Sequence, residues 1–282
     1  MQKNYNENYL KSYAIKGKSS KGRIYKEEEN HIRSPYQRDR DRIIHSTSFR
    51  RLKHKTQVFV NTDGDHYRTR LTHSMEVAQI ARTLARSLNL NEDLSETLSL
   101  SHDLGHTPFG HAGEEILDQC MQNYGGFNHN IQTLRIVTLI EKKYYDFFGL
   151  NLTYETLDGL IKHNGPIKNV NKYKKLLNKD LFNKKINFNS YPSLEAQVAG
   201  ISDDIAYNNH DLEDGLRAGL FSIRQLIKIP ILSDIIKKHL KNIKNYRREV
   251  IITQIIRNLI NLMVVDVINN TNKNLKEAKP KT

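Results

Sequence analysis

Four side chains in this 282-residue sequence could together hold a divalent metal: His73, the adjacent pair His102 and Asp103, and, far downstream, Asp203. Neutral imidazoles and carboxylates suit hard or borderline cations, and such a set leaves coordination positions open for water and a substrate oxygen. Metal-dependent hydrolysis is the chemistry this predicts. A rival reading makes His73 a helix cap and His102-Asp103 a surface pair. It must also account for His106, His111 and His129 in the same region, with Gly105, Pro108 and Gly110 shaping the loop between them.

Neighbouring side chains on a helix point about 100° apart, so His102 and Asp103 cannot serve one metal from the flat side of a helix and need a helix end. The pattern supplies one. Met75, Val77, Ala78, Ile80, Ala81, Leu84, Ala85 and Leu88 recur at helical spacing, with Thr72 and Ser74 able to cap the start, which places His73 in a first turn. A second helix is predicted over 91–102, broken by Gly105, Pro108 and Gly110, and a third over 112–124, stopped by Gly125 and Gly126. Helices over 128–145 and 154–162 follow. Ser193 then caps a helix that runs through Tyr207 and carries Asp203. Upstream, 36–49 reads as a charged helix with one apolar stripe, and 58–67 as a small hairpin around Asn61-Thr62-Asp63-Gly64. The segment 216–268 holds two or three amphipathic helices, and the end after Asn269 is expected to fray. The fold class is mostly α, a helical bundle with a small β-hairpin.

The domain reading is a flexible arm over 1–33, a core over 34–220 with a basic surface insertion at 165–190, and C-terminal helices over 221–282. A net charge of +13 predicts attraction to polyanions such as nucleotide phosphates, nucleic acid or an anionic membrane surface, without choosing among them. The single cysteine, Cys120, excludes an intramolecular disulfide and reads as a core filler. The N-terminus has no apolar signal core. The nearest approach to a membrane span, 259–268, is interrupted by Asn261 and Asp266. A soluble cytoplasmic protein without a membrane partner is the expectation.

The motifs Phe49-Arg50-Arg51-Leu52-Lys53-His54-Lys55-Thr56-Gln57, Arg70-Leu71-Thr72-His73-Ser74, His102-Asp103-Leu104-Gly105-His106-Thr107-Pro108-Phe109-Gly110-His111-Ala112-Gly113-Glu114, Gly126-Phe127-Asn128-His129-Asn130 and Asp203-Asp204-Ile205-Ala206-Tyr207 occur in that order. In them the chain resembles the HD-domain deoxynucleoside triphosphate triphosphohydrolases, the bacterial dGTPase-like proteins. The resemblance implies an HD-domain helical bundle that hydrolyses a dNTP, dGTP or a broader set, to deoxynucleoside and triphosphate and so controls the deoxynucleotide pool. It implies one divalent metal per active site, Mn²⁺, Mg²⁺ or another transition metal such as Fe²⁺, Co²⁺ or Zn²⁺, on His73, His102, Asp103 and Asp203.

The resemblance assigns proton delivery to His111, oriented by Glu114. A capping pair for the helix after Gly110 is the alternative, and both can hold. His106 and His129 are carried over as residues lining the site near the phosphates, with neutral core histidines as the rival. Arg70, three residues before His73, can offer a forked donor to phosphate. Gln57 and Asp211 match positions that hydrogen-bond the 3′-hydroxyl, and Tyr207 one where a 2′-hydroxyl would collide. A homo-oligomer is implied, and single-stranded DNA is a partner that related enzymes engage. Bacterial members commonly continue beyond a point like Thr282, so the resemblance implies a compact variant, a fragment or a degraded gene product. Two other functions remain open: a phosphohydrolase acting on another nucleotide such as a dNMP or an alarmone, and a non-catalytic basic nucleic-acid-binding protein.

Overall fold

A computed structural model describes residues 5–28, 30–59, 67–167, 186–240 and 246–280. By internal contacts the chain divides into two compact units, Met1–Asp203 with Pro280–Thr282, and Asp204–Lys279. The helices are α1 (Pro35–Ile44), α2 (Thr47–Arg51), α3 (Arg70–Ser87), α4 (Glu92–Ser101), α5 (Gly110–Cys120), α6 (His129–Arg135), α7 (Tyr154–Ile161), α8 (Leu194–Arg217), α9 (Ile223–Leu226), α10 (Pro230–Leu240) and α11 (Arg248–Ala278). The described residues are mostly helical, as expected.

The centre of the first unit is α4, against which α1, α3 and α7 pack. Asn91 caps it by accepting from the Leu94 N–H, and Glu92 and Asp93 complement the positive end of its dipole. Its side chains from Leu94 to Ser101 are nearly all buried, including Ser95, Thr97, Ser99 and Ser101. Hydroxyls survive there because Thr97, Ser99 and Ser101 each bond back to the carbonyl four residues earlier. Leu94, Leu98, Leu100 and Leu104 join Tyr36, Ile43, Leu134, Leu152 and Leu157 in the core. The α3 helix begins at Thr69, which forms a reciprocal capping box with Thr72, one turn earlier than the Thr72 and Ser74 caps expected. Its buried face runs through Arg70, His73, Val77, Ile80, Ala81 and Leu84, so His73 is an interior position of an amphipathic helix.

Several expectations are corrected. The single helix over 36–49 is two, because Ser46 leaves helical geometry to cap α2 through the Phe49 N–H. The helix over 128–145 ends early: α6 passes into a π turn at Ile136–Ile140, and Glu141 is extended. Gly149 and Leu150 take up the Glu141 and Val137 carbonyls instead. Cys120 is exposed rather than a core filler. At the hairpin, Thr56 pairs with Thr69 in an antiparallel bridge, while residues 60–66, which include the turn, lie outside the described residues. The basic insertion likewise falls largely on 168–185, outside them. In the second unit α11 continues to Ala278, beyond the point where fraying was expected. It is long and apolar enough, by length and composition, to cross a membrane. Asn261 and Asp266 interrupt the apolar run without removing its overall apolar character. Ile251, Ile252, Ile255, Ile256 and Leu259 of that helix are buried in protein, with Leu232, Ile235 and Ile236.

The N-terminal stretch has little regular structure, yet it is packed rather than a free arm. Leu10 and Ala14 are buried, the Ile15 N–H donates to Glu195, and Arg23 forms an antiparallel bridge with Thr153. Asp39, fully buried on α1, organises this region. It accepts from the Thr153 N–H at 2.9 Å, the Thr153 hydroxyl at 2.7 Å and the Thr156 hydroxyl at 2.8 Å, and it pairs with Arg23. Asp39→Ala would leave the Arg23 guanidinium only the Asn151 and Pro35 carbonyls and a distant Glu27, and breaking a buried pair costs about 3–5 kcal/mol. A loss of that size in urea unfolding is expected; a change under about 1 kcal/mol would place Asp39 among surface pairs.

Candidate active site

Helix α4 ends at Ser101, and His102 is its C-cap, its N–H still bonded to the Leu98 carbonyl. Asp103 follows at the start of a tight turn, which is the helix end the doublet requires. The last turn leaves carbonyls unused, and the His102 Nδ1 sits 2.6 Å from one of them, that of Ser99. A carbonyl can only accept, so Nδ1 carries a proton, and Nε2 is the nitrogen whose lone pair a cation would take in place of a second proton. That Nε2 is buried and has no hydrogen-bond partner. It stands 3.5 Å from Asp103 Oδ1 and 3.5 Å from Asp203 Oδ1. His73 Nε2 lies 2.9 Å from the same Asp203 oxygen.

One atom each from His73, His102 and Asp203 therefore converge within 4.8 Å. An orphaned, buried imidazole nitrogen beside two carboxylates is chemistry that a divalent cation completes, and the residues fit one. Electrostatics agree. Burial would lower the His102 pKa, but the Asp103 and Asp203 carboxylates outweigh it and hold it up to about 9, as groups do where negative charge awaits a cation. Burial would raise Asp103 and Asp203, yet both stay well below the usual carboxylate range. His102 leads the opposing charges at each, reinforced by Arg70 at Asp103 and by the His163 and His73 imidazoles at Asp203.

Arg70 is buried and places Nη1 2.7 Å from Asp103 Oδ2, so part of its fork holds the carboxylate rather than standing free for phosphate; its Nε is buried without a hydrogen-bond partner. Lys55 donates to the Leu104 carbonyl, and burial, with Arg70 adding repulsion, pushes its ammonium down to about 8. Gln57 is buried, its Oε1 unpartnered, with its backbone carbonyl near Gly110.

A second cluster adjoins. Gly105 permits it: a Cβ there would stand 2.2 Å from the His129 carbonyl and 2.3 Å from the Thr133 nitrogen. The Thr133 hydroxyl donates to the His102 carbonyl and accepts from the Gly105 N–H, fastening α6 to the turn. His129, at the first position of α6, has its Nδ1 2.8 Å from Glu114 Oε2 and donates its backbone N–H to Glu114 Oε1. Its ring stacks on His106 at 4.2 Å between centroids. Glu114 is thus the anchor of His129 first. His111, 75% exposed, reaches Glu114 only at 3.5 Å, and Phe109 rather than this pair is the α5 N-cap. Burial lowers the His129 pKa against the pull of Glu114.

Tyr207 and Asp211 continue α8 one and two turns beyond Asp203, within the second unit, and Tyr207 is 43% exposed. Two site residues lacked a role in the sequence reading. Lys55 stood inside a quoted motif. His163, just past the end of α7, lies 3.6 Å from Asp203 Oδ2; its only signal was a position at a helix end like that of His102.

His106 is 5% exposed, and burial drives its imidazole far below the usual range, Asp103 opposing and Arg70 assisting. The unfolded chain protonates this group near pH 6.5, so below that pH it binds more protons than the folded chain, and stability falls by up to about 1.4 kcal/mol per pH unit. Urea midpoints of the metal-free protein should drop more steeply from pH 7 to 5 than those of His106→Asn; parallel slopes would show that His106 protonates in place.

The HD domain family model matches residues 70–208, the segment that carries both clusters. The chain is 64% identical over 245 residues to a deoxyguanosinetriphosphate triphosphohydrolase-like protein of Pelagibacter ubique, covering 87% of this chain and 66% of the relative. A protein of the same name from Parvibaculum lavamentivorans is 51% identical over 274 residues, 96% of this chain and 69% of the relative. That of Bartonella henselae is 51% identical, over 99% of this chain and 71% of the relative. The chain thus spans about two thirds of the length of these relatives. With the ligand geometry, the family model and these identities in agreement, this chain belongs to the HD-domain deoxynucleoside triphosphate triphosphohydrolase family, among its bacterial dGTPase-like proteins.

Proposed function

We propose that this protein hydrolyses deoxynucleoside triphosphates, dGTP or a broader set, to deoxynucleoside and triphosphate, and so governs the deoxynucleotide pool. The observation that carries the reading is the unpartnered Nε2 of His102, facing His73, Asp103 and Asp203, beside a second cluster of His106, His111, Glu114 and His129. A divalent cation on the first cluster would supply positive charge to an α-phosphate oxygen and lower the pKa of a water.

The chain's own groups supply the rest. Water adds to the α-phosphorus, the bond to the 5′-oxygen breaks, and that oxygen must take a proton. We assign its delivery to the His111, Glu114 and His129 group. Glu114 fixes the Nδ1 of His129, leaving Nε2 to take up a proton and pass it on, while exposed His111 is placed to meet the entering phosphates. Arg70 and Lys55 bring cationic charge behind Asp103, and His106 stays neutral, so it adds no charge that would compete with a cation for the carboxylates. In the same reading Gln57, Tyr207 and Asp211 are the residues for the deoxyribose. A cytosolic homo-oligomer, with single-stranded DNA as a partner of its basic surface, belongs to the reading as well.

The test incubates the protein with each dNTP and Mn²⁺ or Mg²⁺ and separates the products by anion exchange. Triphosphate with deoxynucleoside is expected, abolished by chelator. Asp203→Ala should lower turnover at least about a hundredfold, beyond what loss of an outer partner costs. Phosphate or pyrophosphate as product would move the reaction to another nucleotide. No turnover, with salt-sensitive DNA binding that survives His111→Ala, would favour a binding protein.

A further inference from the structure

We propose that His163 is a positioning residue that fixes the carboxylate of Asp203, so that one oxygen faces the metal ligands and the other is held from behind. The inference rests on the metal-centre reading above. Asp203 stands among imidazoles: Oδ1 faces His73 Nε2 at 2.9 Å and His102 Nε2 at 3.5 Å, whereas Oδ2 faces His163 Nε2 at 3.6 Å. Asp203 lies within a helix and is a quarter exposed, so packing alone does not lock its carboxylate. An N–H-bearing partner beside Oδ2 restrains it, because turning the carboxylate out of its present plane draws Oδ2 away from His163 while Oδ1 leaves His73. At 3.6 Å the contact is electrostatic or bridged by a water rather than a direct hydrogen bond.

His163 is itself held. It follows Lys162, the C-cap of α7, whose buried ammonium reaches Asp158 at 2.6 Å and the Ser190 hydroxyl at 3.0 Å. A lysine buried this deeply is costly unless paired, and its pairing fixes the backbone from which His163 projects. The His163 ring also lies 5.2 Å from that of His102, centroid to centroid, so it adjoins both. Its contact with Asp203 Oδ2 parallels that of the Ser99 carbonyl with His102 Nδ1: each engages the atom of a candidate ligand that is not the one nearest the other candidate ligands.

The experiment titrates Mn²⁺ into the metal-free full chain by calorimetry for wild type, His163→Ala, His163→Gln and Asp203→Ala, and records visible spectra with Co²⁺. Thermal melts establish that each variant is folded. His163→Ala should weaken Mn²⁺ about 10–100-fold, the usual cost of losing an outer partner, with Co²⁺ bands unmoved because no ligand is lost. His163→Gln, whose amide N–H can reach the same oxygen, should recover most of the affinity. Unchanged affinity in His163→Ala overturns the inference. So does a shifted Co²⁺ spectrum that Gln fails to restore, since His163 would then be a ligand itself. Metal binding that depends on His163 without triphosphate release from any dNTP would sink the proposed activity and leave this inference standing. A wild-type chain that binds no Mn²⁺ would remove both.

Discussion

Everything around the site answers one constraint: the carboxylate of Asp103, almost wholly buried, has to be kept charged. An isolated ion in such a place costs several kcal/mol even after relaxation, so the fold must bring partners to it. Arg70 arrives from α3 on one oxygen, while His102 and His106 approach the other from the same turn. Asp203 adds a further carboxylate 3.5 Å from the same His102 nitrogen, so negative charge gathers there. Such a centre gains from one more positive charge in a low dielectric, which is why its chemistry suits a divalent cation.

Holding that charge in place explains choices that otherwise look unfavourable. Ser99, Ser101 and Thr97 on α4 are poor core residues, but they are slender and satisfy their hydroxyls on their own helix. The helix can therefore be enclosed on all sides and still end at the doublet. Gly105 has no side chain because α6 must come within contact of the turn, and Thr133 then bonds across it to both His102 and Gly105. The approach of α6 brings His129 over His106 and onto Glu114. Two clusters of different chemistry, one that gathers carboxylates around His102 and one of imidazoles around Glu114, are thereby fixed side by side by a single turn.

The electrostatic division between the clusters follows from what each imidazole faces. His102 and His106 are both buried, yet the first is pushed up to about 9 and the second far down. His102 meets two carboxylates at 3.5 Å, whereas His106 meets one at 3.8 Å and lies against other imidazoles and within the field of Arg70. Burial acts alike on both; the difference is the count and distance of the charges around them.

The sequence by itself determined the helical class, the interruption at Gly105 and Pro108, and the residues that converge. Those features are written in short-range periodicity, in breakers and in residue types that suit a cation. His73 was legible as a candidate because it opens an amphipathic helix, and the doublet because it stands at a helix end. Tertiary structure alone decided what the long side chains do once there. Arg70 turned to Asp103, Glu114 to His129 more closely than to His111, and His163 reached Asp203 from just past the end of α7. It also decided that the polar N-terminal stretch is packed, through Glu7, Arg23 and the buried Asp39 and Glu195. The physical reason is common to all of these. Periodicity reports which face of an element is buried, but the partner of a buried charge is chosen by which other element delivers a compensating group within about 3 Å, and that is a property of the assembled fold.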